Sequence, residues 1–446
     1  MIDCKVNGVV RSQGFPHFKS LEYLDMNTAC IALNASFLQI IGASMPFLKY
    51  LSLSYFTFGT NSSRILDQGL CPLVHLQELH MANNDLRGPF RLPIHSHKSL
   101  RLLDVSNNNF QGRIPAEIGD ILPSLSSFNI SMNALDGSIP SSFGNMNFLQ
   151  ILDLSNNHLT GEIPEHLAIG CVNLEILVLS NNNLEGHMFS KNFNLTKLSW
   201  LLLEDNHFVE EIPQSLSKCL SLEGLHLNNN NLSGKIPQWL GNLTGLQYII
   251  IPENHLEGPI PVAFCQLDSL QILGISDNNI SGSLPSCFHL LSIEQVHLSK
   301  NMLHGQLKEG TFFNCSSLLM LDLSYNRLNG SIPDRIDGLL RLSHLILAHN
   351  NLEGEVPVQL CGLNQLQLLD LSDNKLHGLI PPCFDNTALH ESYNNNYSLD
   401  KPLKIFFTVE TVERYVEKKS HENFEFTTKK HCLHLPRKSV EPPIRN

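Results

Sequence analysis

Leucines and polar residues recur along most of this chain in a pattern that neither a helix nor a plain strand fits throughout. From Leu149 to Pro164 the residues read LQILDLSNNHLTGEIP, with apolar side chains at Leu149, Leu152, Leu154 and Leu159. Leu152-x-Leu154 alternates as a strand does, sending two leucines to one side and Asp153 and Ser155 to the other. Leu159 follows a bend where Asn157 can bond neighbouring backbone groups through its short amide. Gly161 permits a backbone shape that other residues resist, and Ile163-Pro164 closes the stretch where proline fixes φ. Segments such as Leu240-Gly241-Asn242-Leu243 follow in other copies, long enough for one helical or 3₁₀ turn.

Thirteen asparagines from Asn84 to Asn374 mark the same frame, successive members 23 to 25 residues apart. A fixed period in the twenties with an LxxLxLxxNxL frame is the leucine-rich repeat signature. It predicts an α/β solenoid with a parallel β-sheet on the concave face and short helical or 3₁₀ turns outside. Each coil buries its leucines against the next, and no coil could hold its apolar face alone. The asparagines at the bends are buried, so they need partners, which a ladder through adjacent coils would supply. Residues 1–75 carry the frame in irregular form, with Leu21, Leu24 and Met26 and then Leu48, Leu51 and Leu53 at strand spacing. Residues 76–385 are regular, 386–430 form a polar non-repeat segment rich in Tyr and Lys, and 431–446 read as an unstructured tail. Two departures read as local loop adjustments: Glu210 stands where Gly is usual, and Met188-Phe189 replaces Ile-Pro after Gly186.

The stretch Leu318–Pro333, LLMLDLSYNRLNGSIP, resembles the plant-type leucine-rich repeat of surface receptors. The resemblance spans roughly residues 15–430 and implies a right-handed superhelix in which the GxIP segment forms a second strand. The order of regular coils followed by LHESYNNNYSLDKPLKIFFTVETVERYVEK is similar to the plant receptor-like proteins. Those have an extracellular solenoid interrupted by an island, then a membrane span and a short tail without a kinase. This implies a cell-surface protein that binds a peptide, glycan or microbial protein and signals through a co-receptor kinase in defence or development. The chain itself shows no run near the ~18 apolar residues of a membrane span. Its first residues have no apolar core of signal-peptide length, so a fragment or incomplete gene product is expected. Two alternatives stand beside the receptor reading. One is a soluble inhibitor of a microbial wall-degrading enzyme, which would lack the island. The other is a non-functional truncated receptor product.

Charged residues make up 16% of the chain, below the ~25% usual for soluble domains. The formal charge of −12 and the absence of a basic stripe argue against nucleic acid or an anionic membrane as partner. Cys171, Cys219 and Cys315 each stand three residues before a coil's first strand leucine, a buried slot that suits a free thiol. Cys265 with Cys287, and Cys361 with Cys383, share a spacing of 22 residues and fall at matching places in consecutive coils. They are either two bridges stapling adjacent coils, which implies an oxidising compartment, or four buried thiols. Among the sequons, Asn34, Asn61, Asn194, Asn242, Asn279, Asn314 and Asn396 are candidate glycan sites.

No catalytic constellation is legible, so no enzyme, metal or cofactor is expected. A glycine-rich phosphate loop followed by Lys and the kinase HRD and DFG elements are missing, and His431-Cys432-Leu433-His434 is too lax for zinc. What remains is surface. The outward positions that read Asp-x-Ser match the repeat consensus and suit solvated structure, whereas a non-consensus group from Leu202 to Pro252 mixes apolar, acidic and His side chains across three adjacent coils. Leu202, Glu204, His226, Asn228 and Ile250 therefore form the candidate ligand-binding patch on the concave face.

Overall fold

A computed structural model describes residues 18–381 and Cys383, apart from 28–31, 34–36, 59–64, 94–96, 289, 309–310, 313–314 and 382. The segment expected as an island and the expected tail lie outside the described residues. Among the described residues, fifteen strands stack in parallel in strict chain order, from Tyr23–Asp25 to Leu368–Asp370. Each is three residues long, with one inward side chain between two outward ones. Those inward residues pair in register, Leu177 with Leu201, Leu201 with Leu225, and Leu225 with Ile249. All four are fully buried. Each such side chain contributes about 1.5–3 kcal/mol of transfer free energy, and the coil above and the coil below share in providing it.

After the bend the chain forms further parallel sheets. Seven short strands run in order from Arg87–Pro89 to Asn231–Leu232, and six from Glu257–Gly258 to Lys375–His377. A bridge between Lys235 and Glu257 links the two. The expected second strand is present but sits earlier than GxIP. In the coil of Asn157 it is His158–Gly161, and it stops before Ile163-Pro164. Gly161 ends it at a φ of 78°, and proline supplies no backbone donor to carry a ladder further.

The bend itself is set one residue before each ladder asparagine. Asn156, Asp205, Lys300 and Tyr325 all adopt the left-handed region there, with φ between 51° and 55°. Lysine and tyrosine do not favour that conformation, so the surrounding bonds hold it. Asn206 shows how. Its Oδ1 accepts the Leu184 amide at 3.0 Å, and its Nδ2 donates to the carbonyls of Leu179, Leu203 and Glu204 at 3.0–3.2 Å. Two of those four partners belong to the preceding coil, and the pattern repeats at Asn157, Asn230, Asn254 and Asn326.

Outside the sheets come the expected short turns, α-helical at Glu165–Gly170 and 3₁₀ at Gln238–Asn242. Glycine lets them nest. A Cβ on Gly119, Gly144 or Gly170 would collide with the carbonyl oxygen of Ser142, His166 or Gly144 respectively. The two irregular positions also resolve. Glu210 takes the glycine conformation at φ 67° with Oε2 3.1 Å from His187 Nδ1. Met188 and Phe189 are buried in place of Ile-Pro, Phe189 meeting Phe193 edge-on. Among the described residues no helix is long and apolar enough to cross a membrane.

Candidate functional site

Three rows of side chains line the outward side of the fifteen-stranded sheet. In four coils the second and third rows are closed on themselves by an Asp-x-Ser pair. Asp153 Oδ1 accepts both the amide and the hydroxyl of Ser155, at 2.9 and 2.7 Å. Asp104 with Ser106, Asp322 with Ser324 and Asp370 with Ser372 do the same. The Asp-x-Ser positions, expected as solvated structure, are therefore internal locks with little left to offer a partner. Asn129 is engaged likewise by Ser131.

The lock is missing in six consecutive coils, at Val178-x-Ser180, Leu202-x-Glu204, His226-x-Asn228, Ile250-x-Pro252, Gly274-x-Ser276 and His297-x-Ser299. The register aligns Val178, Leu202, His226, Ile250 and Gly274 as one row. Here the structure modifies the expectation. Leu202, His226 and Ile250 do point away from the core, yet each is less than a tenth exposed. Parallel strands ~4.8 Å apart bring neighbouring side chains into edge-to-edge contact. These three form a filled floor, and Glu204 and Asn228 at its edge remain partly accessible.

A further row, beside the floor, lies outside the patch expected from the sequence. Ile151, Ile176, Trp200, Gly224, Tyr248 and Ile272 pair in register as the first residues of their strands. The Trp200 indole lies across Gly224, where any Cβ would strike the ring. It reaches Tyr248 at a centroid distance of 5.4 Å and His226 at 6.1 Å. Tyr248 Oη donates to Gln271 Oε1 at 2.9 Å, fixing the phenol. The signal in the sequence is SWLLLED, where a tryptophan stands immediately before the core leucine Leu201.

Burial alters the ionisable groups around this bed. It pushes the Glu204 carboxyl up to about 7, offset in part by hydrogen bonds from its own backbone and from Ser180, and raised further by Asp205 and Asp153. Burial likewise lifts Asp153 to about 6 and lowers His226 to about 4, leaving that imidazole neutral. Glu204 Oε2 is enclosed and has no hydrogen-bond partner among the described residues. Since the folded Glu204 holds its proton to higher pH than the ordinary 4.5, its contribution to stability falls as pH rises from about 4.5 to about 7. Glu204→Gln is accordingly expected to stabilise the protein on the order of 1–3 kcal/mol at pH 8 and to do little at pH 5. Urea midpoints at the two pH values test this, and an equal effect at both would contradict it.

Away from the bed, Cys265 is bridged to Cys287 and Cys361 to Cys383, each pair with Cα atoms 5.7 Å apart. Cys265 and Cys361 sit in outer 3₁₀ turns, Val262–Gln266 and Val358–Gly362. Cys171, Cys219 and Cys315 are buried free thiols whose Sγ donates to the carbonyls of Phe143, Leu195 and Phe288. Of the candidate glycan sites, Asn194, Asn242 and Asn279 are exposed and lie off the fifteen-stranded sheet. Asn34, Asn61, Asn314 and Asn396 lie outside the described residues. No group of three or more potential metal ligands occurs among the described residues.

Comparison with known proteins agrees with this architecture. Leucine-rich repeat family models match residues 123–184 and 292–352, and also 99–121, 221–243, 269–291 and 365–387. Receptor-like protein 9b of Arabidopsis thaliana is 40% identical over 72 residues, 16% of this chain and only 8% of that relative's length. The ectodomain of the Arabidopsis thaliana membrane receptor kinase GASSHO1/SCHENGEN3, solved with Casparian strip integrity factor 2, is similar at 31% identity and a TM-score of 0.70. That match covers 82% of this chain and 49% of the ectodomain. The Arabidopsis receptor kinase HAESA, solved with the peptide hormone IDA and the co-receptor SERK1, is similar at 27% identity and a TM-score of 0.50. There the match covers 83% of this chain and 77% of the other.

Proposed function

From a chain that is a leucine-rich-repeat protein of the plant receptor-like kind, we propose a ligand-recognition region that works at the cell surface. It binds an extended peptide along the outward side of the fifteen-stranded sheet, and the signal passes to a partner kinase. One observation carries this reading. Six successive coils lack the Asp-x-Ser lock, and across the first five a bed of aromatic and aliphatic side chains stands in its place, where Trp200 and Tyr248 are the largest groups. A self-satisfied surface has nothing to gain from a partner, whereas a rigid apolar bed with polar edges does.

A peptide suits this bed better than a glycan or a folded microbial protein, because the rows run across coils as a long, narrow track. The similar solenoid of HAESA is solved in complex with a peptide hormone and a co-receptor, which supports both kinds of partner. Glycans on Asn194, Asn242 and Asn279 would leave the track open, since all three sit on other sides.

The test is capture. The immobilised chain, exposed to peptides from plant extracellular fluid, is expected to retain specific peptides identifiable by mass spectrometry. Tyr248→Ala combined with Asn228→Ala should weaken their binding about tenfold or more. His158→Ala, an exposed change on the second sheet, should leave it unaltered. Equal binding by all three proteins would place recognition elsewhere.

A further inference from the structure

The apolar bed has an uneven electrostatic frame. From Gln150 to Asp277 the strand segments read QILDLSN, EILVLSN, SWLLLED, EGLHLNN, QYIIIPE and QILGISD, without a single Lys or Arg. The same segments carry Asp153, Glu175, Glu204, Asp205, Glu223, Glu253 and Asp277, the last of them paired with Lys300 of the next coil. Glu175 and Glu223 border the Trp200 row on one side; Asp153 stands in the Leu202 row itself, two coils before Leu202, and Glu204 and Asp205 border that row on the other side. His226, the one imidazole in these segments, is neutral at physiological pH. Carboxylates on both margins of an apolar strip, with no cationic side chain on the same strands, repel an acidic ligand and attract a basic one.

Within that frame Glu204 differs from its neighbours. Ser180 and the residue's own backbone hydrogen-bond its carboxyl, yet Oε2 is enclosed without a partner among the described residues. A buried acceptor left unpaired is unfavourable, and a donor arriving from a ligand removes that cost while adding a charge-assisted bond. The position is also geometrically apt. Glu204 follows Leu202 on the same coil and lies next to Ser180, so a group seated there has Val178 and Leu202 beside it and Trp200 across the coil.

We propose that Glu204 is the seat for a basic side chain, arginine or lysine, of a cationic and apolar peptide whose hydrophobic residues lie on Trp200, Leu202 and Tyr248. This rests on the reading of the sheet as a recognition surface and specifies the chemistry it selects. A short turn of the Glu204 side chain about its own torsions presents Oε2 to the cation. Ser180 keeps the other side of the carboxyl in place, and Asp153 and Asp205 add attraction at longer range.

A random linear peptide library displayed on phage, panned against the full chain, tests the idea directly. Binders are expected to carry Arg or Lys at one position adjoining an aromatic or branched aliphatic residue. In a synthetic binder, Arg→Gln should lower affinity about tenfold or more on the wild-type protein. On Glu204→Gln the same peptide change should cost little, because its partner carboxylate has gone. This coupling is a readout that a purely structural Glu204 would not produce. Binders lacking a basic position, or an equal loss on both proteins, overturn the seat while leaving peptide recognition standing. Binders that ignore Tyr248→Ala, or no binders at all, overturn the sheet-face reading and the seat together.

Discussion

Replacing Asn206 with alanine is expected to destabilise the protein by about 3–5 kcal/mol. The figure follows from what the amide does. Removing it strands the Leu184 amide and deprives the carbonyls of Leu179, Leu203 and Glu204 of a shared donor, all in a site that water does not reach. Each buried polar group left unpaired costs about 1–3 kcal/mol, and partial relaxation brings the sum below the simple total. Urea denaturation followed by circular dichroism measures the loss. Because each coil touches only its neighbours, hydrogen exchange should show the opening centred on Leu179–Leu184 and the coil after it. Asn231→Ala, an exposed substitution one residue beyond the next ladder position, should change stability by about 0.5 kcal/mol or less. A loss at Asn206 no greater than this would mean that the ladder does not hold the coils together.

Gly144→Ala is expected to cost about 3 kcal/mol, through a different mechanism. Its φ is not the issue. The added methyl would overlap the carbonyl oxygen of His166, and the backbone of the adjoining helical turn must move to admit it. Flexible side chains absorb such overlap cheaply, whereas backbone carbonyls do not, and overpacking costs of about 1–3 kcal/mol are typical. The turns at Ile118–Ile121, Ser141–Asn145 and Glu165–Gly170 nest through this contact and the like ones at Gly119 and Gly170. Gly245→Ala is the matched control, since the nearest atom to its new methyl is the Leu222 oxygen at 3.6 Å, ordinary contact. A thermal melt of the two variants separates close approach from the general entropy of removing a glycine, which would act on both.

Much of the architecture is readable in the sequence because it depends on single residue types at fixed intervals. Leu152 and Leu154, Asn157 and Gly161 each answer one local demand, and thirteen repetitions leave no ambiguity in register. Other features depend on contacts between coils that no single copy displays. Asp153 and Ser155 look like two solvated residues until the backbone brings the hydroxyl within 2.7 Å of the carboxylate. Tyr325 and Lys300 are poor residues for a left-handed bend, and only the ladder asparagine that follows them explains why they tolerate it. Leu202, His226 and Ile250 alternate as outward residues should, but lateral packing across three coils buries them. Trp200 is hidden for the converse reason: its importance lies in the glycine one coil later, which gives the indole room.

The ladder also has a direction. Asn157, Asn206, Asn254 and Asn326 each reach back to serve the amide and carbonyl of the coil made before them. A nascent chain emerging from the ribosome therefore finishes each turn only when the asparagine of the following one arrives. A chain ending at a coil boundary would lack the bonds that close its last turn, while every earlier turn would have them.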